Sequence, residues 1–191
     1  MTSLPDVSEL PDLGLEDWRR WFVDAARRIV RWVPEDGAAV FFQSDVRHGG
    51  ALVDKGYLVL RAAEEEGADV AFHKVVCRAP PGTVAIGRPS WSHLISIVRE
   101  VRRPPLHAGP DVLPDAGPMP WSRAMGVEAC RIACGYVQAD LGAQVVVDPF
   151  CGVGTVLAVA NAMGMDAIGV ELVARRCKKA RSLQVSADRG D

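Results

Sequence analysis

The stretch Val145-Val146-Val147-Asp148-Pro149-Phe150-Cys151-Gly152-Val153-Gly154-Thr155 constrains the fold of this chain more than any other. Three β-branched residues predict a strand, Asp148-Pro149 ends it, and Gly152 and Gly154 clear side chains from the turn before an apolar helix over about 154–163. A second strand over 166–171 ends in Glu171, and a basic helix follows from about 173. Strand, glycine turn, helix, strand is how a parallel pair is joined by a crossover, so an α/β chain with a mostly parallel, doubly wound sheet is predicted.

Only 36 residues follow Thr155, too few for the rest of such a sheet, so the other strands must come from the first half of the chain. That half offers an amphipathic helix over 15–33, with Leu15, Trp18, Phe22, Ala25, Ala26, Ile29 and Val33 on one face. A buried strand follows at 38–43, then the polar loop SDVRHGG, a helix around 52–66, and strands at 70–78 and 92–98. Residues 103–120 hold six of the thirteen prolines and read as a connecting loop, after which a helix over about 122–139 leads to the strand at 143–148.

At 191 residues, with 49% hydrophobic and 24% charged residues, the chain suits one domain with an ordinary core. It divides into residues 1–100, a proline-rich connection over 101–120, and 121–191. No apolar run reaches the roughly 18 residues of a membrane span, and a signal-peptide core is lacking at the N-terminus, so a cytoplasmic protein without a membrane partner is expected. Five cysteines in no metal-ligand spacing predict reduced thiols and no metal site; Cys130 and Cys134, four apart on a helix, read as packing. A net charge of −2 excludes binding to nucleic acid by overall basicity but leaves room for local patches. Two candidates are Arg99, Arg102 and Arg103, and the last-helix cluster Arg175, Arg176, Lys178, Lys179 and Arg181.

A carboxylate at the end of the second strand is placed to accept hydrogen bonds from ribose hydroxyls, which assigns Glu171 to a nucleoside. Leu157 stands where a dinucleotide fingerprint has its third glycine, and Asp148 at the turn would repel a pyrophosphate. A ligand with an ammonium group, a ribose diol and no phosphate fits both acids. S-adenosyl-L-methionine is such a ligand.

DPFCGVGT followed by AIGVEL resembles the cofactor half of class I S-adenosylmethionine-dependent methyltransferases, above all the nucleic-acid amino-methyltransferases, whose turn reads DP-aromatic-small-G-S/T-G-T. The resemblance implies that Asp148, Pro149, Phe150, Cys151, Gly152, Gly154 and Thr155 cradle the methionine part of the cofactor, and that Glu171 binds its ribose. Val153 departs from the family's usual serine. A cofactor turn this late in the chain is similar to the circularly permuted subgroup, in which the catalytic loop comes first. Pro120-Trp121-Ser122-Arg123 would then form the cofactor entrance, with Ser122 among the binding residues. Residues 15–98 would complete a Rossmann-like methyltransferase fold that ends in an antiparallel strand pair.

In this order the catalytic loop falls on Thr2-Ser3-Leu4-Pro5-Asp6, where the family reads Ser/Asn/Asp-Pro-Pro-aromatic. Ser3 and Pro5 match; Leu4 and Asp6 do not. The resemblance assigns Ser3 and Pro5 to positioning an exocyclic amine, and Asp6 replaces an aromatic whose stacking on a base is worth about 1–3 kcal/mol. Asp6 could accept a proton or bond the edge of the target instead. The strand that should lead into this loop is missing, so either the natural start lies upstream or the sheet is one strand short.

Asp45 and Arg47 follow the strand at 38–43 on the ligand-binding side of a parallel sheet and are candidate substrate contacts. Trp91 is a third, as a replacement stacking group beside His93. His73 is expected to face solvent, and Trp18, Trp21 and Trp32 to be mostly core. The expected activity is methyl transfer from S-adenosylmethionine to a nitrogen of a nucleic-acid base. RNA is expected over DNA, because the 101–120 connection is too short for a DNA-recognition insertion; a homodimer is the alternative source of a DNA surface. A small-molecule or protein methyltransferase and a catalytically silent binding module are the competing readings.

Overall fold

Leu15–Trp32 forms α1 because its apolar residues recur at helical spacing. Trp18, Phe22, Ala26 and Val30 are buried along one stripe. Trp18 packs its ring 5.3 Å from that of Phe22. Trp32, expected in the core, is 79% exposed at the open end of the helix. This is a computed structural model, and it describes residues 1–101, 104–121 and 124–186.

The strands are β1 (Ala39–Gln43), β2 (Val46–His48), β3 (Ala51–Val53), β4 (Asp69–Cys77), β5 (Trp91–Val98), β6 (Val112–Leu113), β7 (Val145–Asp148) and β8 (Asp166–Gly169). The other helices are α2 (Lys55–Glu65), α3 (Val127–Ala139), α4 (Thr155–Ala162) and α5 (Ala174–Ser182). The antiparallel terminal pair of the sequence reading is β4 with β5, and β5 also runs antiparallel to β1. β7 and β8 are parallel, in register from Val145 and Asp166 to Asp148 and Gly169.

What joins the two groups of strands is the N-terminal segment. Thr2 forms a parallel bridge with Phe41, its amide donating to Val40 O and its carbonyl accepting from Phe42 N, both at 2.9 Å. Met1 N donates to Val147 O at 2.7 Å on the other side. Residues 1–3 therefore occupy the slot between β7 and β1, and the order becomes β8, β7, residues 1–3, β1, β5, β4, β6. The pairing that periodicity could not find rests on an isolated bridge at Thr2, too short a feature to show any period.

Around β1 and β5 the sheet is covered on both faces. Ala39, Phe41, Ile95 and Ile97 pack with Leu58, Val59 and Ala62 of α2 and with the α1 stripe. Val40, Phe42 and Leu94 pack with Ala129, Cys130, Ala133 and Tyr136 of α3 and with Val156 of α4. Over β7 and β8 the burial is one-sided: Val146 and Asp148 are buried, whereas Val145, Val147 and Ile168 are about half exposed.

Two boundaries differ from expectation. SDVRHGG is not a loop: Gly49 and Gly50 adopt φ of 57° and 84°, the two positive values a tight hairpin needs, and so β2 and β3 pair around them. The helix expected from 122 starts at Val127 because residues 116–118 come back over it. Ala116 O accepts from Glu128 N at 2.9 Å, and a Cβ on Gly126 would lie 1.9 Å from that oxygen. The proline-rich connection is thus the cap of α3, and through β6 it also pairs in parallel with β4.

Candidate active site

At the end of β7 the chain turns sharply and enters α4. Asp148 is fully buried, and its Oδ1 accepts from Thr2 Oγ1 at 2.6 Å and from Phe150 N at 3.0 Å. Oδ2 is buried with no partner among the described residues. Burial pushes the Asp148 carboxyl above its ordinary range, against the pull of the Met1 ammonium and of these donors. Cys151 O accepts from Gly154 N at 2.8 Å, closing the turn.

The glycines of the turn have separate reasons. Gly152 has a φ of 56° and open space where a Cβ would stand; Gly154 has a φ of 80° and would press a Cβ 2.8 Å from Ala180 Cβ of α5. Gly152 therefore keeps a backbone face bare, and Gly154 lets α5 approach. Leu157, in place of a third glycine, lies across Gly169, where an added Cβ would come within 2.3 Å of Leu157 Cδ1. The bulk has moved from strand to helix. Cys151 is buried and its thiol is pushed up to about 11 by burial.

Glu171 stands just past β8, next to the turn. Its Oε1 accepts from Val173 N at 2.8 Å, and its Oε2 lies 3.9 Å from Arg176 Nη1. Arg176 in turn stacks 5.1 Å from the ring of Trp121. Pro149 and Phe150 are half-buried, Phe150 edge-on to Trp21 at 6.1 Å; Thr155 is buried at the start of α4. Ser122 lies outside the described residues.

Thr2 hands the chain from this turn to a second cleft. Ser3, Asp6, Lys55, Arg78, Arg88 and Ser92 stand around it, above the ends of β1 and β5. Ser3 is half-buried, and its hydroxyl has no partner among the described residues. Pro5 turns its carbonyl toward Trp18, whose Nε1 donates to it at 3.2 Å. Asp6 is 3% exposed and heavily bonded: Ser8 N and Ser8 Oγ donate to Oδ1 at 2.9 and 2.5 Å, and Arg88 Nη2 donates to Oδ2 at 2.6 Å. Burial raises the Asp6 carboxyl, but the Ser8 bonds and the nearby cations outweigh it and hold it below its ordinary value. Asp6 is thus the cap of a short 3-10 turn, Val7–Glu9, and the anchor of Arg88.

The three residues proposed as substrate contacts part company. Asp45 is buried; its Oδ1 accepts from Lys55 N at 2.8 Å and is 3.0 Å from His93 Nε2. Trp91 meets the His93 ring edge-on at 4.6 Å. Arg47 is exposed on β2 and donates back to Gly50 O at 3.0 Å, so it serves its own hairpin. His73, exposed as expected, lies 2.8 Å from His93 Nδ1 and completes a relay of two imidazoles and a carboxylate. Asp45, Asp54 and His93 each offer one ligand atom within 4.8 Å of the others, but both carboxylates already accept amides at the start of α2. Sequence reasoning missed Lys55, Arg78 and Arg88 altogether. Arg88 lies in a Pro-Gly loop, and a lysine opening a helix is no signal by itself.

The comparisons with known proteins agree with this layout. Residues 142–182 match a family model described as DNA methylase, the N6/N4 type. No curated protein matches this chain in sequence. Among solved structures, a candidate DNA modification methylase from Thermus thermophilus is similar at TM-score 0.69 and 21% identity, with 95% of this chain and 83% of that one covered. PvuII DNA methyltransferase (cytosine-N4-specific) is similar at TM-score 0.71 and 15% identity, covering 95% and 77%. M1.HpyAVI in complex with S-adenosylmethionine is similar at 0.61 and 14%, covering 95% and 84%. The chain therefore has the methyltransferase fold of these solved structures, and its residues 142–182 match the DNA methylase family model.

Proposed function

We propose that this protein is an S-adenosylmethionine-dependent methyltransferase that methylates an amino nitrogen of a DNA base. The observation that carries the reading is the contact between Thr2 and Asp148. It sets the glycine turn, with the unpartnered Asp148 Oδ2 and the bare backbone at Gly152, directly beside the cleft that holds Ser3.

The residues present fit the cofactor. Asp148 Oδ2 is an acceptor in want of a donor, which an ammonium supplies, and Glu171 is the acceptor for a ribose diol. Within the turn Phe150 to Gly154, Gly152 offers backbone with open space where a side chain would stand. When bound, the cofactor supplies an electrophilic methyl on a sulfonium that is its own leaving group. The chain's part is to hold and orient. Ser3 accepts from the target amine and turns its lone pair toward the methyl; the rest of the cleft keeps the target in place.

DNA replaces RNA as the preferred substrate class. The matched family model and the similar structures are of DNA methylases, and nothing in them supports RNA. The short 101–120 connection, on which the expectation of RNA rests, is employed in capping α3. The silent-module reading keeps one specific support: Asp6, where the family has a stacking aromatic, is bonded to Ser8 and Arg88.

Incubation with cofactor labelled in its methyl group and separate pools of DNA, RNA and small metabolites tests the reading. Label in DNA is the expected result. Label only in another pool moves the substrate class, and none in any pool favours the silent module. Glu171→Ala should weaken cofactor binding by about 1–3 kcal/mol; unchanged calorimetric affinity removes Glu171 from the ribose site.

A further inference from the structure

The Ser3 cleft contains a group that the proposed chemistry leaves unused. Lys55 opens α2 and is only 4% exposed, yet its Nζ has no hydrogen bond and no ion pair among the described residues. The Phe22 ring lies 6.0 Å from Nζ, at the outer edge of a cation–π contact, and brings no negative charge to neutralise the ammonium. Neighbouring carboxylates are engaged elsewhere. Asp6 holds Ser8 and Arg88, Asp45 holds Lys55 N and His93, and Glu9 accepts from Asp6 N at 3.2 Å and faces Arg176 at 3.9 Å. Nor is the ammonium sealed in, because Lys55 lines the cleft.

Burying an ammonium without a partner is costly, and proteins keep such groups where a ligand supplies the missing charge. The cleft is lined by three cations, Lys55, Arg78 and Arg88, against two carboxylates, Asp6 and Glu9. One positive charge is left over. Arg88 pairs with Asp6 and Arg78 donates to the Ser44 hydroxyl at 3.0 Å, whereas Lys55 Nζ makes neither a hydrogen bond nor an ion pair among the described residues.

We propose that Lys55 is the centre of a phosphate subsite, which takes one phosphodiester of the substrate strand beside the nucleotide presented to Ser3. A phosphodiester carries the single negative charge that the lining lacks, and its two free oxygens can accept from Lys55 Nζ and from a cleft hydroxyl such as Ser3. The identity of the strand rests on the methyltransferase reading; the anion site does not. Burial holds the Lys55 ammonium down to about 8, and a bound anion raises it again.

The test is calorimetry on the full chain with deoxyadenosine 5′-monophosphate, deoxyadenosine, inorganic phosphate and a single-stranded DNA oligonucleotide, for wild type, Lys55→Met and Lys55→Arg. The monophosphate should bind at least about tenfold tighter than the nucleoside, the value of one charge-assisted contact. Lys55→Met should abolish that preference, Lys55→Arg should keep most of it, and Lys55→Met should lower the salt slope for the oligonucleotide by about 0.7. The same Lys55→Met variant should unfold at higher urea than wild type, which a lysine with a purely structural role would not do. Equal binding of nucleoside and monophosphate overturns the proposal, as does a Lys55→Met variant that is less stable or fails to fold. Inorganic phosphate binding as tightly as the monophosphate overturns the strand assignment. Weaker S-adenosylmethionine binding in Lys55→Met overturns it too, since the anion is then the cofactor carboxylate. Intact monophosphate binding in a protein that binds no S-adenosylmethionine overturns the methyltransferase reading and leaves the anion site standing.

Discussion

Thr2 Oγ1 donates to Asp148 Oδ1 at 2.6 Å, a buried hydrogen bond spanning 146 positions of the sequence. It ties the segment that fills the middle of the sheet to the acid at the head of the glycine turn. Thr2→Val keeps the shape and removes the donor. It should cost about 1–3 kcal/mol in urea unfolding, the usual penalty for a buried acceptor that loses a partner. Thr2→Ser should recover most of the loss. Equal stability of the Val and Ser variants would show that the shape of Thr2, not its hydroxyl, matters.

Gly152 and Gly154 should respond differently to alanine. Both have positive φ, so each substitution costs about 1–2 kcal/mol of backbone strain. Gly154→Ala also drives a Cβ to 2.8 Å from Ala180, and should loosen α5 and be the more destabilising of the two. Thermal unfolding ranks them. Limited proteolysis near residues 174–182 should rise in Gly154→Ala alone.

Lys55 makes a signed prediction about pH. Its ammonium has a pKa of about 8 in the fold, against 10.5 as the ordinary value. Below pH 8 the proton is bound in both folded and unfolded chains, and the full cost of burial is present. Between about 8 and 10.5 the unfolded chain keeps the proton that the folded chain has released. Across that window this group makes stability rise, by up to about 1.4 kcal/mol per pH unit. Subtracting the stability curve of Lys55→Met from that of wild type isolates the contribution. A flat difference between the two curves would contradict it.

Gly56 sits under the His93 ring, where a Cβ would come within 2.5 Å of Cε1. Gly56→Ala should displace the ring from Asp45 and His73 and destabilise by about 1–3 kcal/mol through overpacking. In the NMR spectrum of Gly56→Ala the imidazole resonances of both histidines should move from their wild-type positions, since their nitrogens are 2.8 Å apart. Movement of His93 alone would mean that the relay is not formed in solution.

The features legible in the order of residues are local in origin. The run Val145–Thr155, with its β-branched residues and two glycines, needs only its own backbone preferences to become strand, turn and helix. The α1 stripe needs only the helical period. Asp148, which closes β7, and Glu171, just past the end of β8, stand out for the same reason, their place beside a local strand pattern.

The remaining features arise only in the folded chain, because they depend on partners far away in the sequence. Thr2 gains its bridge only because the segment lies between β7 and β1, which hold it from both sides. The proline-rich segment becomes a helix cap only because Ala116 O meets the first amides of α3. Asp6 is a cap and an ion-pair partner because Ser8 and Arg88 reach it. Lys55 shows the limit most clearly: a lysine at a helix start is ordinary in sequence, and only burial without a counter-ion marks it as a binding group.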